Sequence, residues 1–363
     1  MDSLLHCWPE PVVPVQSIAE SGASFIPACY IKPPADRPHE AVAATGVRCR
    51  EMSIPVIDLS HLSAGAVECL ATMRAISDAC RDWGFFQVVN HGVNGELVAA
   101  AAAVWRDFFL LPMPEKMKLA NSPKTYEGYG SRLGVEKDAV LDWGDYFFFN
   151  LLPHSLKNYD KWPKLPSSNF REITEEYGRQ MVNLCGTLMK VLSISLGLDV
   201  GFLQEKFGGE EFGACMRVNY YPKCPQPELT LGLSAHSDPG GLTILLGDDH
   251  VPGLQVRKGD SWVTVQPVPG ALIVNVGDQI QVLSNTTYKS VEHRVVVNAA
   301  AERLSIAFFY NPKSDLPLAP ARELVAPGRL PLYRPMTFDE YRLYIRKKGP
   351  RGKEQVESLE AIS

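Results

Sequence analysis

Apolar residues recur at helical spacing across residues 67–83, where Leu70, Met73, Ile76, Ala79 and Cys80 mark one face. That spacing predicts an amphipathic helix stopped by Gly84, and the FFQVVNHGV run behind it predicts a strand. The IPVIDL phrase at 54–59 predicts another strand just ahead of the helix. Residues 95–110 read as an Ala-rich helix closed by LPMPEK. Residues 170–198 carry Ile173, Tyr177, Val182, Leu188, Val191 and Leu192, the pattern of a long amphipathic helix. Between these helices lies a polar stretch, 118–141, with turn residues in TYEGYGSRLG, followed by DWGDYFFFNLLP, a strand with aromatic bulk.

From Phe212 the period changes. Short β-branched and aromatic runs follow one another, separated by PKCPQP, DPGG, RKGDS and VPG. Short strands at that interval, after a helical first half, predict an α+β fold dominated by β: a double-sheet barrel buttressed by helices. Near the end, Thr337-x-x-Glu340 is a capping box that opens the helix FDEYRLYIRKK. The first 53 residues are rich in proline and small residues, with a short helix ending at Gly22, an extended piece, and an exposed linker at 39–52. The chain so divides into an N-terminal extension (1–53), a helix-rich region (54–211), a strand-rich core (212–335) and a C-terminal helix and tail (336–363).

Composition changes this picture little. The 363 residues are 45% hydrophobic and 21% charged, as in an ordinary globular protein. A formal net charge of -5 gives no reason to expect nucleic acid or acidic lipid as a partner. No apolar run approaches a membrane span, the first residues do not form a secretion leader, and no obligate protein partner is indicated. The eight cysteines contain no C-x-x-C pair, so neither a zinc site nor a disulfide framework is expected. A reducing cytoplasm is the expected home, with the nucleus as a second compartment. No internal repeat is visible.

The candidate chemistry lies in the strand-rich core. In LGLSAHSDPGGLTILL, His236 and Asp238 stand two residues apart, so on a strand both point to one face. His293 lies in SVEHRVVV, and Arg303-x-Ser305 in ERLSIAFFY, each in a strand-like run. Two imidazoles and one carboxylate make a facial triad, which fills one side of an iron coordination sphere and leaves the other open. The remaining histidines, His6, His39, His61, His91, His154 and His250, fit no motif and read as structural.

Strand period extends the inventory. Arg217, Asn219 and Tyr221 share a face, with Arg217 roughly 13 Å from Tyr221 at about 3.3 Å per residue. An arginine inside a barrel needs an anion. A substrate carboxylate and a protein carboxylate such as Glu210 or Glu211 serve equally well on this evidence. Arg342 and Arg346 stack at i,i+4 on the last helix; from the residues alone, a solvated basic face near a helix C-terminus is the simpler account. Phe309 shares the face of Arg303 and Ser305 and should line the cavity.

These phrases together resemble the plant 2-oxoglutarate- and iron(II)-dependent dioxygenases. The resemblance runs from about Ile54 to Tyr344 and is dense from Arg217 to Pro312, through NYYP, PGLQV, ALIVNVGDQIQVLSN, YKSVEHRV and ERLSIAFFYNP. It implies the double-stranded β-helix, a jelly-roll core, preceded over 54–211 by the N-terminal region of non-haem dioxygenases. It also implies Fe(II) held by His236, Asp238 and His293, with 2-oxoglutarate and O2 as cosubstrates and ascorbate in support. Arg303 and Ser305 would bind the far carboxylate of 2-oxoglutarate. Tyr221, fifteen residues before His236, matches the family tyrosine at that carboxylate, and Asn219 matches the residue near the keto end.

Within the family, the jasmonate-induced oxygenases are most similar. Arg217, Arg342 and Arg346 match their carboxylate-binding arginines, interval by interval, and Phe149, Phe309 and Phe338 match their aromatic pocket walls. This implies a small carboxylic acid substrate, jasmonic acid, hydroxylated to 12-hydroxyjasmonic acid, which lowers active hormone and restrains defence signalling. Two other readings stand beside it. One is a related dioxygenase acting on a flavonoid or on another hormone acid such as gibberellin or auxin; the other is a non-catalytic small-molecule binding protein on the same fold.

Overall fold

The computed structural model describes residues 7–38, 52–165, 169–325 and 330–360. His6, His39 and the linker expected at 39–52, apart from the exposed Met52, lie outside these residues. Among the described residues, fourteen strands are numbered in chain order. The first four are β1 Val56–Asp58, β2 Phe85–Val89, β3 Gly128–Gly130 and β4 Asp145–Leu152. Then come β5 Gly213–Tyr221, β6 Leu233–His236, β7 Leu242–Leu246, β8 Leu254–Lys258 and β9 Ser261–Thr264. The last are β10 Leu272–Val276, β11 His293–Val295, β12 Arg303–Asn311, β13 Pro317–Leu318 and β14 Met336–Thr337. The helices are α1 Val15–Glu20, α2 Ala66–Asp82, α3 Gly95–Leu110, α4 Met113–Met117, α5 Phe170–Ser195, α6 Phe202–Lys206, α7 Asp278–Leu283, α8 Phe338–Lys348 and α9 Glu354–Glu357.

The helices form where the apolar spacing places them, and their ends have local causes. Both Trp83 and Gly84 donate to the Ala79 carbonyl at the end of α2, and Gly84 takes φ +63, which its lack of a side chain permits. The Asn94 side chain accepts from the Glu96 and Leu97 amides to start α3. Helix α5 ends at Ser195, three residues earlier than the periodicity suggests. The expected capping box opens α8. Helix α7 has no counterpart in the sequence reading; its six residues, all buried, interrupt the strand-rich core and show no amphipathic stripe.

Eight strands form one sheet in the order β1-β2-β10-β7-β12-β5-β4-β3, and four form another, β6-β11-β8-β9. Among the described residues the two sheets do not close into a continuous barrel; the architecture is a jelly roll of two sheets. Helices α2, α3 and α5 cover the outer face of the large sheet. Strand alternation divides the side chains cleanly. On β12, Leu304, Ile306, Phe308 and Tyr310 enter the core under the helices, as do Met216, Val218 and Tyr220 on β5. Their alternates, Arg303, Ser305, Ala307 and Phe309 on β12 and Cys215, Arg217, Asn219 and Tyr221 on β5, therefore face the space between the sheets. One part of that space is apolar, filled by Ile54, Phe85, Leu254, Val256, Val265 and Ile273. The other part holds the charged residues of the site.

Candidate active site

His236 ends β6 and lies directly across from His293 on β11, so the pairing register alone brings the two imidazoles together, ring centres 4.3 Å apart. Asp238 follows in the turn after β6. Its Oδ1 lies 3.6 Å from His236 Nε2 and 3.7 Å from His293 Nε2. Each ring is aimed by its other nitrogen: Nδ1 of His236 meets the Ser234 carbonyl at 2.8 Å, and Nδ1 of His293 meets the Val291 carbonyl at 3.2 Å. Both Nε2 atoms thus present lone pairs to one point. Asp238 Oδ2 accepts from Thr243 Oγ1 at 2.6 Å and Asn275 Nδ2 at 2.8 Å, which leaves Oδ1 for the same point.

The three donors lie within 4.8 Å of one another. Cis ligands with bonds of about 2.1 Å stand about 3 Å apart, so the cluster is slightly looser than a closed coordination edge and fits a first-row metal. Protonation favours the same outcome. Burial, and then the neighbouring His293, hold His236 below its ordinary range, in the neutral form a metal requires. Burial pushes Asp238 up, but the two imidazoles, Asn275 and Thr243 outweigh it and leave the carboxyl below its ordinary value.

Farther along the same strands, Arg303 pairs across from Tyr221 and Ser305 from Asn219. Arg303 is buried, its guanidinium centre 5.5 Å from the centre of the Tyr221 ring, and neither Nε nor Nη1 has a partner. Burial lowers its pKa. A buried guanidinium with two unanswered donors is costly unless an anion arrives, so the donor set suits a carboxylate. Gly253 makes room for it: a Cβ there would lie 3.0 Å from Arg303 Cδ.

Toward the opening is a cavity of about 190 Å³, bounded at one end by His236, Ser237 and Asp238 and elsewhere by Arg217, Arg342 and Arg346. Arg217 does not pair with Glu210 or Glu211; Glu211 is held by Lys313 at 2.9 Å. Its guanidinium instead stacks 4.2 Å above the Tyr146 ring, with Nε buried and unpartnered. Arg342 bonds Asp339, while its buried Nε has no partner. Arg346 has no carboxylate in ion-pair range among the described residues, and burial together with Arg342 lowers its pKa. The two helix arginines therefore line a cavity rather than a solvated face.

Phe309 and Phe338 line this cavity, but Phe149 does not. It packs on the opposite face of β4, stacked 5.4 Å from Trp105 and edge-on to Trp162, and is 1% exposed. Phe148 takes the wall position, beside Tyr126 and Tyr146. Sequence reasoning also missed Lys32. Its ammonium reaches from the N-terminal extension to Asp142 Oδ1 and Ser234 Oγ, both at 2.8 Å, behind the carbonyl that aims His236. A buried Asp278, its pKa pushed up to about 6 by burial, was likewise unforeseen.

Residues 212–312 match the 2OG-Fe(II) oxygenase superfamily, and residues 54–165 match the non-haem dioxygenase in morphine synthesis N-terminal family. The chain is 60% identical to jasmonate-induced oxygenase 1 of Arabidopsis thaliana over 97% of its own length and 87% of the relative's. It is 43% identical to flavanone 3-dioxygenase 2 of Oryza sativa subsp. japonica, covering 87% and 89%. A crystal structure of JOX2 in complex with 2OG, Fe and JA superposes with a TM-score of 0.91 at 59% identity, over 98% of this chain and 100% of that one. The rice dioxygenase for auxin oxidation superposes with a TM-score of 0.71 at 30% identity, covering 85% and 100%.

Proposed function

The chain belongs to the 2OG-Fe(II) oxygenase superfamily, and from that premise we propose that it hydroxylates jasmonic acid at the end of the pentenyl tail, giving 12-hydroxyjasmonic acid. It is a 2-oxoglutarate-dependent Fe(II) dioxygenase. His236, Asp238 and His293 would hold the iron, and Arg303, Ser305, Tyr221 and Asn219 the cosubstrate. Bound together, iron and 2-oxoglutarate couple decarboxylation of the oxo acid by O2 to hydroxylation of a C–H bond, with release of succinate and CO2.

The chain's own residues supply the rest. The observation that carries the substrate is the cavity lined by Arg217, Arg342 and Arg346, which have Asp339 as their one ion-pair partner among the described residues, whereas a fourth lining arginine, Arg351, is already paired with Glu136. A carboxylate entering there relieves the repulsion between Arg342 and Arg346 and answers the free donors of Arg217. Tyr126, Phe148, Phe309 and Phe338 supply apolar wall for a cyclopentanone ring and alkyl tail. Held by the carboxylate, the molecule presents its far end to the triad, so anchoring selects the C–H bond. The apolar walls also keep bulk water from the reacting carbon.

The test is Arg342→Ala/Arg346→Ala. Each charge-assisted hydrogen bond is worth about 1.5–3 kcal/mol, so KM for jasmonate should rise at least about 100-fold while KM for 2-oxoglutarate holds. Unchanged jasmonate kinetics would defeat the assignment. A flavonoid substrate has no carboxylate and would leave Arg217 and Arg346 unanswered; the same variant separates that reading. Jasmonate-dependent succinate release separates both from a non-catalytic binding protein. Lowered active hormone and restrained defence signalling are the physiological consequence of this chemistry. No helix among the described residues is long and apolar enough to cross a membrane. Independently of that, we propose the cytoplasm, with the nucleus as a second site, because a reducing compartment keeps the iron ferrous.

A further inference from the structure

Asp278 takes no part in the chemistry above, yet its carboxylate is 1% exposed at the start of α7 and joins two parts of the site. On one side, Ser237 Oγ donates to Oδ2 at 3.2 Å, and the Asp278 amide donates to the Asp238 carbonyl at 2.8 Å. On the other, the Tyr341 hydroxyl of α8 donates to the same Oδ2 at 2.6 Å. Tyr341 immediately precedes Arg342 and lies five residues before Arg346. The path from the helix arginines to the triad is therefore two hydrogen bonds long.

A second tether lies beyond the arginines. The Gly352 amide donates to the Ala235 carbonyl at 2.8 Å, and the Gly352 carbonyl accepts from the Ser237 amide at 3.1 Å. These bonds form a parallel bridge that sets Gly352 beside His236. Gly352 takes φ +51, a left-handed conformation that favours glycine. Arg342 and Arg346 thus lie in a segment tied at one end, through Gly352, to the strand that carries His236 and at the other, through Asp278, to the Ser237–Asp238 turn that follows it.

Apolar packing also holds α8, through Phe338 and Tyr341 against Val282, Tyr333, Val356 and Leu359. Such packing is non-directional and tolerates rotation or sliding of a helix; a hydrogen bond to a carboxylate does not. Burying that carboxylate costs stability that an apolar pair of similar volume would keep. What the pair adds is direction.

We propose that Asp278 and Tyr341 are positioning residues, whose buried hydrogen bond sets the rotation and distance of Arg342 and Arg346 relative to the His236–Asp238–His293 cluster. The inference rests on the reading of those arginines as binders of the substrate carboxylate. The bond thereby fixes which tail carbon reaches the metal, and loosening it spreads hydroxylation over neighbouring carbons.

The experiment compares Tyr341→Phe, which removes one oxygen atom, with Val356→Ala, which loosens the same packing and leaves the hydrogen bond in place. Both are assayed as the full chain loaded with ferrous iron and 2-oxoglutarate, and Mn(II) affinity is measured separately. Tyr341→Phe should raise KM for jasmonate about tenfold and yield a mixture of 11- and 12-hydroxylated products, with KM for 2-oxoglutarate and Mn(II) affinity unchanged. Val356→Ala should lower Tm but keep wild-type KM and a single product. A single product with wild-type KM from Tyr341→Phe overturns the proposal, as does a Val356→Ala variant that reproduces the product mixture. The double arginine variant separates the two layers. If its jasmonate KM stays unchanged, the substrate reading falls and the positioning role with it; if that KM rises while Tyr341→Phe behaves as wild type, the positioning role alone falls.

Discussion

Asp238 divides its two carboxylate oxygens between the protein and the cluster. Oδ2 is held by Thr243 and Asn275, so Oδ1 is left facing both imidazoles. Partners that fix a ligand in this way commonly account for 10–100-fold in metal affinity. Asn275→Leu should therefore weaken ferrous binding by about that factor in an anaerobic titration, with the fold unchanged by circular dichroism; wild-type affinity would mean Asp238 needs no support. Arg303 and Ser305 were legible in the sequence because two-residue spacing on a strand fixes a shared face. His236 and Asp238 were legible as a ligand pair, although β6 ends at His236 and Asp238 reaches the cluster from the turn that follows rather than by strand alternation. Thr243 and Asn275 were not, since they reach Asp238 from β7 and β10, and no spacing within one segment encodes a contact between strands. The partner of Arg217 was undecidable for the same reason: the charge of Glu211 is visible in the sequence, its engagement with Lys313 is not.

A strand has two faces, and β4 shows how a run of like residues conceals which is which. Phe147, Phe148 and Phe149 are consecutive, so either parity puts a phenylalanine in the cavity. Trp105 of α3 decides, because it packs on Phe147 and Phe149 and leaves Phe148 to the other side. Phe149→Ala should then cost about 3–5 kcal/mol of stability and leave KM for jasmonate unchanged, whereas Phe148→Ala should raise KM at a smaller cost in Tm. The reverse pattern would put the wall on the other parity. Helices α2, α3 and α5 were legible because their apolar stripes are long, while the six residues of α7 were too few and too evenly buried to show a period. At the same scale, Asp248 links α3 to the β7–β8 loop through Arg106 at 2.8 Å and the His250 and Val251 amides. Burial pushes its pKa up, but those bonds outweigh it and hold it below the ordinary carboxylate value. Its contribution is thus fully present above that ordinary value and is lost as pH falls through the depressed one. Because Arg106 is 44% exposed, Asp248→Asn should cost only about 1 kcal/mol at pH 7. In denaturant titrations that difference should shrink toward zero in acid below pH 4; a difference independent of pH would assign the loss to packing instead.

The large sheet joins what the sequence divides. Strands β1 to β4 come from the helix-rich region 54–211, yet β2 pairs with β10 and β4 with β5, so both flanks of the sheet belong to the first half of the chain. The N-terminal extension is bound in as well, since the Val15 and Gln16 amides donate to the buried Asp145 carboxylate of β4 and Lys32 reaches Ser234. At the other end, Gly352 is bridged to His236. We propose that the divisions at 53, 211 and 335 mark changes of composition and not units that fold alone. A fragment of residues 212–335 would expose the outer face of β5, β7 and β12, where Met216, Val218, Ile244, Ile306 and Phe308 rely on α3 and α5 for cover. It would also open new sheet edges at β5 and β10, which invite association. The full chain should accordingly unfold in a single calorimetric transition whose van't Hoff and calorimetric enthalpies agree, and the 212–335 fragment should be insoluble or unfolded. Two resolved transitions, or a soluble fragment that binds ferrous iron with full-length affinity, would show instead that the strand-rich core is independent and that its neighbours serve only to shape the substrate cavity.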